Sequence, residues 1–251
     1  MWAGCEPHSL WRSEDGGAHF ELNTALWDHP HRPQWMPGAG GAAIHTIVPR
    51  RDGSMLVAMS TGGVYRSADS NGGWVPANRG IKVDFQPEEY PEFNQCVHRI
   101  AVDAVDQSHV FAQNHGGVYF SSDSGDSWRP IMDGLPADFG FAVTTHPRRG
   151  GVAYVSPVND GSDRYQPDYR CRVYRTEDAG ASWTALSAGL PAEDHYGVVL
   201  RDALRTDDAD PVGVYFGNRN GEVYASADEG DTWQPVASHL PDVLCVRAAV
   251  V

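Results

Sequence analysis

One short pattern, Ser or Thr, any residue, then Asp, recurs five times along the chain and restricts the fold more than any other feature. The copies are Ser13-Glu14-Asp15-Gly16, Ser67-Ala68-Asp69-Ser70, Ser121-Ser122-Asp123-Ser124, Thr176-Glu177-Asp178-Ala179 and Ser226-Ala227-Asp228-Glu229. Their aspartates are 54, 54, 55 and 50 residues apart. In the last three copies Gly125, Gly180 and Gly230 follow, then Trp128, Trp183 and Trp233. A short apolar run precedes four of the boxes: Val64-Tyr65-Arg66, Val118-Tyr119-Phe120, Val173-Tyr174-Arg175 and Val223-Tyr224-Ala225. Ser, Thr and Asp bond their own backbone in tight turns, and Gly supplies positive φ. The boxes therefore read as structural hairpin turns, with the Trp opening the next strand and packing over the hairpin. Two copies have drifted: the first ends in Phe20, and the second has Asn71 in the glycine slot, where left-handed backbone is tolerated.

A period of about 50 residues holding four short strands is the mark of a β-propeller blade. Inner strands are expected over 43–48, 96–102, 140–145, 196–201 and 244–250, and second strands over 1–4, 55–60, 110–113, 152–156 and 212–217. The fold class is all-β, a propeller of four-stranded antiparallel blades occupying residues 1–251 as one domain. Five blades are expected. The first would be completed by strands from both chain ends, closing the ring and leaving no long free edge.

Composition narrows the partners. A formal charge of −14 with 19 scattered Lys and Arg argues against a nucleic-acid or anionic-membrane surface. No run approaches the roughly 20 apolar residues of a membrane helix, and no charged-then-apolar leader precedes the first strand, so a soluble cytoplasmic protein is expected. Cys5, Cys96, Cys171 and Cys245 show no CxxC pairing and read as reduced thiols. Cys5 and Cys245 would approach only if the chain ends share a blade.

The boxes resemble the Asp-box (BNR) repeats of sialidases, two-propeller xyloglucanases, sortilin-type receptors and photosystem II assembly factors. The whole chain is similar to bacterial WD40/YVTN/BNR-like or exo-alpha-sialidase-labelled proteins. That likeness rests on Ala43-Ile44-His45-Thr46-Ile47, Gln95-Cys96-Val97-His98-Arg99, Asn114-His115-Gly116-Gly117-Val118-Tyr119 and Gly221-Glu222-Val223-Tyr224-Ala225-Ser226-Ala227-Asp228. Such proteins usually carry about two further N-terminal blades, making seven. This chain is therefore expected to be either a five-bladed relative or a shortened one. The resemblance implies sialidase chemistry, which needs three arginines, a Tyr–Glu nucleophile pair and an Asp acid. Arg32, Arg99, Arg201, Arg219 and Arg247 are the available arginines, with Tyr90, Glu92 and Asp28 beside them, but the Arg-Ile-Pro segment typical of sialidases is absent.

In a propeller the loops from outer to next inner strand, and from second to third strand, share the face opposite the box turns, where sites form. Here they carry Asp28, His29, Arg32 and Trp35; Glu88, Glu89, Tyr90, Glu92 and Phe93 between 84 and 94; Asp138-Phe139; and Asp194-His195-Tyr196. Gln113-Asn114-His115, residues 159–170 and Asn218-Arg219-Asn220 join them. His45 and His98 hold matching inner-strand places, with Phe141 in the next. With His115 or His29 they suit a metal or acid–base pair, or equally hydrogen-bonded strand positions. No ligand spacing is diagnostic, so no metal or other cofactor is expected. Two carboxylates about 5 to 9 Å apart would serve a glycosidase. Trp27, Trp35, Tyr90, Phe93, Phe139, Tyr165, Tyr169 and Tyr196 suit sugar stacking or plugging of a narrow axis.

The leading expectation is a binding or scaffold propeller taking a small molecule, glycan or protein through His29, Arg32, Trp35, His45, Tyr90, His98, His115, Arg219 and Arg247. The alternative is a glycoside hydrolase with acids drawn from Asp28, Glu92, Asp138 and Asp194. Nothing in the sequence sets an oligomeric state.

Overall fold

The computed structural model describes residues 1–159 and 163–250, so part of the 159–170 loop, residues 160–162, lies outside the described residues. Among the described residues nineteen strands form five antiparallel sheets in chain order. The first holds β1 (Trp2–Cys5), β2 (Ser9–Arg12) and β3 (Glu21–Leu22). The second holds β4 (Ile44–Pro49), β5 (Met55–Met59), β6 (Gly63–Ser67) and β7 (Val75–Pro76). β8 (Val97–Val102), β9 (Val110–Asn114), β10 (Gly117–Ser121) and β11 (Arg129–Pro130) make the third. β12 (Gly140–Thr145), β13 (Ala153–Pro157), β14 (Val173–Thr176) and β15 (Thr184–Leu186) make the fourth. β16 (Leu204–Thr206), β17 (Val214–Gly217), β18 (Val223–Ser226) and β19 (Gln234–Ala237) make the fifth. Each four-stranded sheet pairs its strands in sequence, as a propeller blade does.

The core lies between sheets. Leu56, Ala58 and Val64 of the second sheet pack on Val97, Ile100, Val110 and Tyr119 of the third. Phe111, Val118 and Phe120 of the third meet Val143, Ala153 and Val155 of the fourth, whose Ala142 and Tyr154 in turn meet Leu204, Val214 and Phe216 of the fifth. Every residue of β5, β9 and β13 is buried, because both faces of a middle strand are covered by neighbouring blades.

The box turns are cross-braced. In the fourth sheet Thr176 Oγ1 accepts the Gly180 N–H at 2.8 Å and donates to Asp178 Oδ1 at 2.8 Å, and Asp178 Oδ1 accepts the Ser182 N–H at 2.8 Å. Ser121/Asp123 and Ser226/Asp228 repeat the arrangement. Gly180 has φ of +84°, and a Cβ there would lie 2.5 Å from Ile131 of the preceding blade, so only glycine fits. In the drifted second box the left-handed residues are Ser70 and Gly73 rather than Asn71. Asn71 instead donates its N–H to Asp69 Oδ1 at 3.0 Å. The tryptophans do more than cover their own hairpins. Trp128 Nε1–H reaches Ala77 O of the preceding blade at 2.9 Å, and Trp183 Nε1–H reaches Ile131 O at 2.7 Å.

Two expected strands are not formed. Residues 196–201 are irregular, and the inner strand of the fifth sheet is β16, a few residues later. The lead-in makes loop contacts instead: His195 N–H donates to Tyr169 O at 2.9 Å, and Arg219 N–H reaches back to Val198 O at 3.0 Å. Residues 244–250 do not join β1 to complete the first sheet, which has three strands and no inner one. The C-terminal run folds back on its own blade, where Cys245 bridges Asp202 in parallel and Val243 N–H donates to Asn218 O at 3.1 Å. Among the described residues no strand pairing joins the fifth sheet to the first, and Cys5 and Cys245 are exposed free thiols. No described helix is long and apolar enough to cross a membrane.

The turn chemistry gives two expectations. Thr176→Ala removes an acceptor for a buried N–H and should cost about 1–3 kcal/mol of stability, read as a lower denaturant midpoint with unchanged slope. Asp15, Asp69 and Asp178 are held below the usual carboxylate range, Asp15 to about 2 by the His19 backbone and ring, Asp69 by the Asn71 N–H and Asp178 by the Ser182 hydroxyl. Depressed carboxylates stabilise the fold above their unfolded value and lose that contribution on protonation. Acid titration should therefore weaken the fold from about pH 4 downward, and Asp178→Asn should make that loss shallower; an unaltered acid limb would contradict this origin.

Candidate functional site

The loop face carries two adjoining cavities that share His115 and Phe139 as a common wall. The axial one, about 690 Å³, is bounded by the start of β8 (Cys96, His98), the β9–β10 hairpin, the start of β12 (Phe139, Phe141), the 36–40 and 85–87 segments and Leu200-Arg201. The outer one, about 570 Å³, is lined by Lys82, Asp84, Tyr90, Asp138, Asn159 and their neighbours.

A recurring bulge builds the axial wall. The register slips at Ile44/Thr46 in β4, at Val97/Arg99 in β8 and at Gly140/Val143 in β12, so that His45, His98 and Phe141 fall in corresponding irregularities. Bulges re-aim side chains in this way. His45 Nδ1 lies 3.0 Å from Val97 O and His98 Nδ1 2.6 Å from Gly140 O, each a carbonyl of the next blade. Those carbonyls only accept, so Nδ1 carries the proton and Nε2 keeps its lone pair. Burial, reinforced by Arg201, lowers both imidazoles, His45 to about 4, so both are neutral near neutral pH. His98 stacks on Phe141 with centroids 4.9 Å apart.

Buried amides hold the site loops. Asn78 Nδ2 donates to Val64 O at 3.1 Å and Glu92 O at 3.0 Å. Gln95 Nε2 holds Pro91 O at 2.6 Å, and Gln113 Nε2 donates to Asp138 O at 3.1 Å, anchoring the acidic loop of the outer pocket. The sequence offers Gln113 only as a loop-face residue and does not mark Asn78 or Gln95, because a lone Asn or Gln carries no pattern; their signal is only their position at the strand ends.

The thirteen residues expected at a site scatter. Asp138 and Tyr90 line the outer pocket, and His98 and His115 the axial one. Asp28 ends the short helix α1 (Thr24–Trp27) and is exposed, as is Asp194; Glu92 Oε2 lies 4.0 Å from His31 Nε2. The four expected acids thus do not meet, and Asp84, not among them, is the carboxylate that shares a pocket with Asp138. Trp35 is core: it is 7% exposed and donates Nε1–H to Tyr65 Oη at 2.9 Å, with the His29 ring stacked on it. Its hydrophobic surface was better used under the 28–35 turn than on a ligand. The expected arginines are engaged elsewhere. Arg32 lies over the Trp27 ring, Arg219 pairs with Asp242 at 2.7 Å, and Arg99 and Arg247, joined by Arg205, which was not among those expected, converge on Asp202 at 2.7, 3.2 and 2.6 Å. The three-arginine cluster thus surrounds a carboxylate of the protein itself. Of the five, Arg201 alone lines either of these two cavities, the axial one, where Arg164 joins it and no described carboxylate does.

Two groupings gather residues that the sequence offered separately, and Cys96 is the member it did not offer as a ligand. Cys96, His98 and His115 each offer a donor atom within 4.8 Å of the others. Tyr165, Tyr169 and Tyr196 form an aromatic group beyond the outer pocket, Tyr165 stacked on Tyr169 at 5.0 Å and Tyr196 5.3 Å from Tyr169. Asn159, which lines the outer pocket, donates its N–H to Tyr165 O at 2.8 Å and so joins the two.

No family model matches the chain. A xyloglucanase of Paenibacillus sp is 25% identical over 257 residues, covering 86% of this chain and 23% of that enzyme. Xyloglucanase Xgh74A of Acetivibrio thermocellus is 26% identical over 230 residues, covering 79% of this chain and 26% of the enzyme. The chain thus spans about a quarter of the length of these relatives. Among solved structures it is similar to an ancestral GH74 enzyme (TM-score 0.57, 19% identity, 82% of this chain and 25% of that one). It is also similar to YCF48 from Cyanidioschyzon merolae (TM-score 0.53, 16% identity, 78% and 57%). These likenesses establish a β-propeller fold.

The burial pattern separates the thiols. Cys5 and Cys245 should react at once with an aromatic disulfide reagent, Cys96 more slowly because the reagent must enter the axial cavity, and Cys171 only on unfolding. Four equally fast thiols in the native protein would contradict the packing.

Proposed function

We propose that this chain acts on a polysaccharide of the xyloglucan class along its loop face, as a glycoside hydrolase. The observation that carries the reading is that Asp84 and Asp138 share one pocket whose wall continues, through Asn159, into the tyrosine group. Tyr169 and Tyr196 are exposed, and such rings stack on the apolar faces of sugars. Two carboxylates on one pocket are the minimum for glycoside hydrolysis, one protonating the leaving oxygen and the other attacking or activating water. The sequence likeness to two xyloglucanases supports the substrate class. The sialidase reading gains no support from arginines spent on Asp202, Asp242 and Trp27.

A second reading, glycan recognition without cleavage, is favoured by one observation: the tyrosine group lies outside the carboxylate pocket, so it holds a chain whether or not the acids act. Xyloglucan depolymerisation and fluorogenic glycosides separate the two. Asp138→Asn and Asp84→Asn should each lower turnover by about 10²–10⁴-fold on a bell-shaped pH profile, while Glu92→Gln leaves it unchanged. Tyr169→Ala and Tyr196→Ala should each weaken xyloglucan binding by roughly 2–12-fold, the worth of one aromatic contact. Tyrosine-dependent binding with no turnover selects the second reading. Neither binding nor turnover overturns both.

A further inference from the structure

We infer that Cys96, His98 and His115 form a three-ligand site for a zinc-class divalent ion at the head of the axial cavity, its fourth coordination position opening into that cavity. One sulfur and two imidazole nitrogens within 4.8 Å of one another are the donor set zinc prefers. Tetrahedral zinc, with bonds of about 2.3 Å to sulfur and about 2.0–2.1 Å to nitrogen, separates its donors by roughly 3.3–3.6 Å. Side-chain rotations of about 1 Å therefore close the set without moving the strands.

The surroundings are those of a built site. His98 Nδ1 is committed to Gly140 O at 2.6 Å, which fixes the ring and leaves Nε2 as the ligand atom. A second partner on the far ring nitrogen is the usual support of a metal-bound histidine. His115 is tied to Cys96 through its own backbone, its N–H donating to Cys96 O at 2.9 Å, so the two ligands ride on one strand pair. Phe139 and Phe141 pack on the imidazoles and limit the directions from which water reaches them. All three ligands line the same cavity as Arg164 and Arg201, and no described carboxylate does. The fourth position therefore suits an anionic oxygen ligand, hydroxide or carboxylate, whose charge Arg201 complements.

Cobalt(II) tests the site, because a thiolate ligand gives it an intense near-ultraviolet charge-transfer band. The full chain carrying Cys5→Ser and Cys245→Ser, stripped with a chelator, should bind one equivalent of cobalt with that band, and zinc should displace it. Cys96→Ser should abolish the band. His115→Asn, at a half-buried position where folding is least at risk, should weaken binding by at least the roughly 10–100-fold that supporting residues cost. Substoichiometric binding, a missing thiolate band, or an affinity untouched by His115→Asn each overturns the site. Should Cys96→Ser fail to fold, His115→Asn and the band in the parent chain decide the question.

Discussion

The second, third and fourth sheets are each covered on both faces by a neighbouring sheet, and that double burial is the constraint on which the rest of the molecule depends. A strand such as β9 reads Val-Phe-Ala-Gln-Asn and is buried throughout, so no face of it is left for solvent. Burial on both sides removes the alternation an exposed sheet would show and makes each blade's stability a property of its neighbours. The ties between blades follow the same logic. Trp128 and Trp183 place large apolar rings at the junction and satisfy their only donor on a carbonyl of the blade before. Arg175 crosses in the same way, to Asp231 and to Glu229 O, both at 3.0 Å.

The histidine bulges show structure and chemistry drawn from one residue. His98 joins two blades through Nδ1 and presents its other nitrogen to the axial cavity. The stabilising bond selects the tautomer, and the tautomer determines what the cavity can bind. Phe141, in the next bulge, keeps the packing and drops the donor. The same bulge thus carries a phenyl ring in the fourth sheet and imidazoles in the second and third, with no change in the underlying strand pairing.

The repeat was legible because its chemistry is local: Ser121, Asp123 and Gly125 satisfy one another within five residues, and the spacing did the rest. What failed was long-range. Residues 196–201 have strand-like composition, yet Arg219 N–H takes Val198 O and Ala203 N–H takes Leu200 O, while the 169 loop holds His195 just before them. The 244–250 run was assigned to the first blade by an argument about free edges, whereas Asp202 and Asn218 offered partners much nearer in the chain. Trp35 looked like a loop aromatic, but the 28–35 turn carries it against Tyr65. His98 and His115 were legible as site candidates. Cys96 was not, since a cysteine without a CxxC partner gives no spacing signal, and only the pairing of β8 with β9 brings His115 beside it.

Charge is partitioned sharply for a protein with 33 acidic residues. The axial cavity has Arg164, Arg201 and two imidazoles but no described carboxylate, while the outer pocket has Asp84 and Asp138 beside Lys82. Nearby, Arg99 spans from the third sheet to Asp202 at the entrance of the fifth, and two further guanidiniums share that carboxylate, leaving local positive charge in excess. A proton-transferring carboxylate pair in such a field would be held ionised, which removes the general acid that glycoside hydrolysis needs. The His115–Phe139 wall thus divides a carboxylate-bearing outer pocket from an axial cavity whose charged side chains are Arg164 and Arg201.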